Sequence, residues 1–116
     1  MYYLPRTSIV YIKSGFTDMR KGAYSLSILC ESLVSGAAAD SVVVVFRGKS
    51  SRIMRILWWD GQGYCLLSKY LESGKFHWIN DESKGYIKVT HGQLEQLIRG
   101  LEWQIPKRIK APEMAV

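Results

Sequence analysis

The sequence predicts an α+β fold: an antiparallel sheet of about five or six strands with two helices packed on it. Three observations predict it. Short β-branched and aromatic runs recur between glycine-containing turns. Two stretches carry apolar residues at helical spacing. One run, "SVVVVFR" (41–47), is apolar on both faces until Arg47, as a strand covered from both sides must be.

The elements follow in order. "SIVYIK" (8–13) is β-branched and aromatic and reads as a strand that Gly15 stops. "TDMRKGAYSLSILCESLVSG" reads as a helix capped by Thr17 or Asp18. Leu26, Leu29, Cys30 and Leu33 fall at i, i+3, i+4 and i+7, Val34 widens the stripe, and Gly36 stands where a C′ glycine belongs. Gly22 weakens the first turn by up to ~1 kcal/mol relative to alanine. After 41–47, "GKSSR" is a turn and "IMRILWW" (53–59) the next strand. Asp60-Gly61 is a strong hairpin signal, and the following Gln62-Gly63 lengthens the loop toward four residues. "YCLLSK" (64–69) returns as a third strand or starts a helical turn. "KFHWI" (75–79) and "GYIKVT" (85–90) read as short strands around "NDESKG". Thr90-His91-Gly92-Gln93 fits a capping box, and Leu94, Leu97, Ile98 and Leu101 form the last helical stripe. Trp103 anchors its end and Pro106 closes it. Residues 1–103 are expected to form a single α+β domain, with 104–116 a basic, mobile tail.

Composition excludes several classes. No apolar run approaches the roughly 18 to 20 residues of a membrane span. The N-terminus lacks the pattern of a signal peptide. Cys30 and Cys65 lie in apolar surroundings, which suits buried thiols in a reducing, cytoplasmic setting. With His77 and His91 they make no paired metal-ligand spacing, so no metal and no cofactor is expected. Gly48-Lys49-Ser50 ends like a phosphate-binding loop, but position 43 is Val43 rather than glycine and a strand follows. Asp18, Asp40, Asp60 and Asp81 are scattered cap or turn residues, not a two-metal set. Neither cysteine has an activating base in view. No catalytic residue is expected, and the chain reads as a non-enzyme.

Binding is better supported. The chain of 116 residues carries a formal charge of +6. Between 41 and 70, Arg47, Lys49, Arg52, Arg55 and Lys69 face one acid, Asp60. Arg20 and Lys21 lie beside Asp18, and Lys107, Arg108 and Lys110 crowd the tail. In the strand 53–59, alternation puts Met54, Ile56 and Trp58 on one face and Ile53, Arg55, Leu57 and Trp59 on the other. Both tryptophans are buried only if both faces are covered or a partner covers one.

Three stretches together, "TDMRKG" (17–22), "VFRGKSSRIMRILWWDGQGYCLLSKYLESGKFHW" (45–78) and "QLEQLIRGLEWQIPKR" (93–108), resemble the TnpB accessory proteins of the insertion sequence sixty-six family. These are small second-reading-frame products of bacterial mobile elements. The chain departs at Tyr70 in "KYLE", where the family often has a basic residue, and at Ile79, where it often has proline. The resemblance implies a non-catalytic accessory role in transposition beside a separate, larger transposase, and it transfers no catalytic residues.

Two readings are set against each other. In the first, Arg47, Lys49, Arg52 and Arg55, extended by Arg20 and Lys21, contact DNA phosphates. Asp18 capping and Gly22 clearing space could add a phosphate at the helix N-terminus. In the second, the protein is an adaptor that docks on the element's transposase without touching DNA, with Trp58 or Trp59 as the buried anchor. Edge strands in a small sheet make a homodimer compatible with either.

Overall fold

The computed structural model describes Leu4 and residues 8–30, 42–78 and 85–102. Leu33, Val34, Gly36, the "NDES" turn, Trp103, Pro106 and the basic tail lie outside these. The elements run β1 (Ile9–Phe16), α1 (Ala23–Leu29), β2 (Val42–Arg47), β3 (Ile53–Trp59), β4 (Tyr64–Tyr70), β5 (Tyr86–Val89) and α2 (His91–Ile98). The five strands form one sheet in the order β4-β3-β2-β1-β5. Among the described residues the architecture is the α+β sheet with two helices that the sequence predicts.

The sheet is mixed rather than wholly antiparallel. β1 and β2 pair parallel, Ile9 with Val42 through Ile12 with Val45, and the other three ladders are antiparallel. A parallel pair needs a crossover connection, and α1 lies within the one that joins these strands. Gly15, expected to end the first strand, instead takes φ +77° at an irregularity after which Phe16 pairs with Arg47.

Each face of the sheet carries a core. On the α1 face, Leu26 and Cys30 pack on Val42, Val44, Phe46 and Leu57. On the α2 face, Leu94 and Leu97 join Val10, Ile12, Val43, Val45, Met54 and Ile56, with Phe76 and Trp78 at the margin. Residues 42 to 46 are therefore all buried, which explains the unbroken apolar run. Truncating Phe46, which is fully buried, to alanine would cost about 3–5 kcal/mol.

The local signals fared differently at the two helices. At α2 the capping box is complete: Gln93 N donates to Thr90 Oγ1 (3.0 Å) and Thr90 N to Gln93 Oε1 (2.8 Å). Lys69 Nζ donates to the Ile98 carbonyl (2.6 Å), placing a cation at the helix C-terminus. At α1 neither Thr17 nor Asp18 is the cap; the helix begins at Ala23 with Gly22 as an N-cap that has no side chain to offer. "KFHWI" is not a strand in its described part. Phe76 and Trp78 alternate inward, but Phe76 N and Trp78 Nε1 both donate to the Ser51 carbonyl (3.0 and 3.1 Å) rather than to a ladder.

Candidate nucleic-acid interface

The strand directions fix where the singled-out residues fall. Phe16, Arg47, Ile53 and Tyr70 share one end of the sheet through the pairs Phe16–Arg47 and Ile53–Tyr70. Three connections meet there. Thr17 N donates to the Arg47 carbonyl (2.8 Å), Leu71 N to the Arg52 carbonyl (2.9 Å) and Phe76 N to the Ser51 carbonyl (3.0 Å). Gly48 is the tight point: a Cβ there would lie 3.0 Å from Met19 Cγ and 3.1 Å from Ile53 Cβ. The 17–22, 48–52 and 71–78 segments thus adjoin at this end, with Arg20, Lys21, Lys49 and Arg52 on them and Arg47 and Arg55 on the neighbouring ends of β2 and β3.

Within that surface the arginines are held by the protein itself. Arg55, half-buried on the α1 face, donates through Nη1 to the Met19 (2.8 Å) and Lys21 (2.6 Å) carbonyls and through Nε to Ser68 Oγ (2.9 Å). It staples the 17–22 segment to the sheet. Arg52 donates to the Leu71 carbonyl (3.2 Å) and to that of Glu72. Arg47 lies over the Phe16 ring (4.6 Å to its centre) and near Trp78 (5.8 Å), and its Nη2 donates to Ser51 Oγ (3.0 Å). Burial lowers the Arg47 pKa from its ordinary value. Arginine nevertheless stays protonated, and its partners here are neutral carbonyls and hydroxyls. These bonds orient the charges without cancelling them.

Arg20 is different. Its guanidinium pairs with Asp18 (2.9 Å) on an exposed loop, and Asp18 also accepts from Arg20 N (2.9 Å). The Arg20 side-chain bond, then its backbone bond, holds the Asp18 carboxyl well below the usual carboxylate range. Asp18 therefore closes a local turn instead of capping a helix. Lys49 is exposed at the tip of the β2–β3 loop, and Lys21 is half-buried. β3, not a helix, follows Gly48-Lys49-Ser50.

One cation of this end was not picked out from the sequence. Lys75 is exposed on the 71–78 segment that lines the 48–52 loop. Read as part of a strand, it gave no sign of its neighbours, and only the loop-to-loop bonds at Ser51 bring it here. Over residues 16–22, 47–55 and 71–78, the cations are Arg20, Lys21, Arg47, Lys49, Arg52, Arg55 and Lys75, and the acids are Asp18 and Glu72.

The tryptophans lie toward the opposite end of β3, about 20 Å away at a strand's rise per residue. Trp58 packs against the α2-face core. Trp59 is half-buried and meets Tyr64 edge-to-face, ring centres 5.0 Å apart. Asp60 closes the hairpin by accepting from Gln62 N and Gly63 N (both 2.9 Å), which lowers its pKa. Cys65 is half-buried and donates to the other Asp60 oxygen (3.4 Å), and Cys30 is buried; both are free thiols. Among the described residues no group of three or more His, Cys, Asp or Glu is placed to hold a metal. No helix among them is long and apolar enough to cross a membrane.

Residues 8–108 match the family model described as IS66 Orf2 like protein. Two relatives from Sinorhizobium fredii (strain NBRC 101917 / NGR234), both described as uncharacterized, align along most of the chain. The protein y4hO is 37% identical over 103 residues, 89% of each chain, and y4jC is 33% identical over 99 residues, 82% of each. No solved structure matches. The chain belongs to the IS66 Orf2-like family, which associates it with the transposition of an insertion sequence.

Proposed function

We propose that the protein is a non-catalytic accessory factor in transposition that binds DNA through the basic end of its sheet. The observation that supports this is the segregation of charge. Seven cations and two acids fall in residues 16–22, 47–55 and 71–78 at that end, and among the described residues only Arg20 of these cations is in an ion pair. A polyanion gains from such a surface through counterion release, without needing base contacts. Lys21, Lys49 and Lys75 meet phosphates, while Arg47, Arg52 and Arg55 hold the loops in place and add to the field.

The distinction decides which variants are informative. Reversing Arg52 or Arg55 would remove bonds that shape the loops, whereas Lys49 and Lys75 are exposed. A Lys49→Glu/Lys75→Glu protein should keep its thermal midpoint and lose about 10- to 100-fold in DNA affinity at moderate salt. The log–log salt slope should flatten by about 2. Fluorescence anisotropy on element-end and scrambled duplexes across a salt series measures both. An unchanged affinity and slope in a folded variant would rule the basic end out.

The adaptor reading rests on Trp59, which is half-buried and lines an apolar cleft with Cys30, Leu57 and Tyr64. Trp58 is committed to the core and is a poorer anchor. Co-purification of the transposase with nuclease-treated protein, abolished by Trp59→Ala, would favour this reading.

A further inference from the structure

The two edges of the sheet are unlike. β5 is four residues long and carries the exposed Lys88. β4 is seven residues long, pairs with β3 from Tyr64 to Tyr70 without a bulge, and contains no proline. Its one charge, Lys69, is turned to the Ile98 carbonyl. Short length, bulges, prolines and edge lysines are what keep a sheet edge from pairing with another chain, and β4 has none of them in effective form.

Among the described residues its backbone groups without a partner strand can be identified. Asp60 N donates to the Gly63 carbonyl and Leu71 N to the Arg52 carbonyl, at either end of the β3–β4 ladder. Antiparallel ladders alternate, so Cys65, Leu67 and Lys69 turn their amides and carbonyls toward β3. Tyr64, Leu66, Ser68 and Tyr70 turn theirs to the open edge. The side chains add apolar surface, with Leu67 44% and Tyr70 66% exposed. α1 contributes on the same flank. Its Leu29 carbonyl accepts from Tyr86 on the β5 side, and Ser27 faces the cleft by Trp59 and Tyr64 on the β4 side. Tyr24 and Ile28, one turn apart and 74% and 52% exposed, follow Ser27 around the helix toward the β4 edge.

We infer that β4 pairs with β4 of a second copy of this chain, antiparallel, across a twofold axis at Leu67. The occupant is a second copy because the edge is complementary to itself. An axis at Leu67 uses the full length of both strands and sets Tyr64 opposite Tyr70 and Leu66 opposite Ser68, the residues whose backbone groups are free. It opposes Cys65 to Lys69 and Leu67 to itself, so no like charges meet. A parallel in-register pairing would stack Lys69 on Lys69. The same axis leaves both α1 helices on one face, where Tyr24 and Ile28 flank the junction. It also carries the two basic ends to opposite corners, which keeps the repulsion between two chains of +6 small. The pair is an isologous interface joining two five-stranded sheets.

Sedimentation equilibrium of the full-length, nucleic-acid-free protein should give twice 13.3 kDa. Leu67→Lys would set two ammonium groups face to face at the axis, and should leave a folded monomer with an unchanged circular dichroism spectrum. Register is read separately. In a Cys65→Ser background, Leu67→Cys should form an intermolecular disulfide on mild oxidation, because directly opposed residues of a non-hydrogen-bonded pair lie about 4.5 Å apart. Lys88→Cys on the β5 edge should not. A wild-type chain that stays monomeric at all concentrations overturns the inference, and the edge then belongs to some other strand. A dimer that survives Leu67→Lys and fails to cross-link at 67 places the interface elsewhere and overturns it equally. Neither outcome touches the DNA-binding reading, since no DNA is present.

Discussion

At the Ile53 end of β3, three connecting segments are held together by guanidinium groups donating to backbone carbonyls. At the Trp59 end, one hairpin is closed by an aspartate and packed by an aromatic pair. The first end keeps its positive charge after its bonds are made, because carbonyls orient a cation without neutralising it. The second end uses its single charge locally, on the amides of its own turn. Seven residues of strand separate a charged, polar way of fixing loops from an apolar one, and only the first leaves a field that reaches a partner.

The sharpest way to break this comparison is to remove the staple at the basic end. Arg55→Ala should destabilise the protein by about 3 kcal/mol, since three bonds from a half-buried charged donor are lost. Arg55→Lys should recover only part of that, because an ammonium cannot reproduce the fork. If Arg55 is a staple rather than a contact, Arg55→Lys should still bind DNA nearly as well as wild type below its melting temperature. Denaturant melts and anisotropy on the same samples test both halves.

The buried thiol of the cleft beside Trp59 should be alkali-sensitive. Burial pushes the Cys30 thiol up to about 11, and burial with the nearby Cys30 pushes Tyr86 up to about 12. A raised pKa means the folded state holds its proton more tightly, so stability is full below the unfolded value near 9.0 and falls as pH rises through 11. The Cys30 contribution is on the order of 2 kcal/mol. Cys30→Ala should be less stable than wild type at neutral pH, and the gap between their melting temperatures should narrow above pH 9. A gap that stays constant to pH 11 would mean Cys30 is not the titrating group.

Much of the fold was legible because its signals are local. The continuous apolar run at 42–46 required cover on both faces, and the Thr90–Gln93 capping box formed as spelled. What escaped depends on distant partners. The parallel β1–β2 pairing follows from the crossover through α1, which no residue of either strand encodes alone. Phe76 and Trp78 alternate as a strand would, yet they plug the sheet margin and bond to Ser51. The basic residues were readable as a cluster, since most lie within one stretch, but not their division of labour. That division is set by which carbonyls Met19, Lys21, Leu71 and Glu72 offer, and carbonyl positions leave no mark in sequence.

A smaller effect sharpens the aromatic side. Trp59→Ala should cost about 1–2 kcal/mol, less than a fully buried aromatic, because Trp59 keeps part of its surface in water and loses mainly the Tyr64 contact. It should leave DNA affinity and salt slope unchanged, since it lies at the other end of β3. A variant that folds but loses DNA binding would erase the division between the ends.

The smallest effect isolates the one charge of the hairpin. Asp60→Asn keeps an Oδ1 acceptor for Gln62 N and Gly63 N and removes the negative charge together with the Oδ2 acceptor of the Cys65 Sγ bond. The carboxyl pKa is lowered chiefly by the Gln62 and Gly63 amides, so its contribution is present above the ordinary value of 3.8 and is lost as pH falls through the lower folded value. The melting temperatures of wild type and Asp60→Asn should therefore differ slightly at pH 7 and converge below pH 3.8. Asp60→Ala, which removes the acceptor as well, should stay below both at every pH. Convergence of Asp60→Ala with wild type in acid would show that the turn needs the charge and not the oxygen, and would bring the hairpin end closer to the electrostatic logic of the basic end.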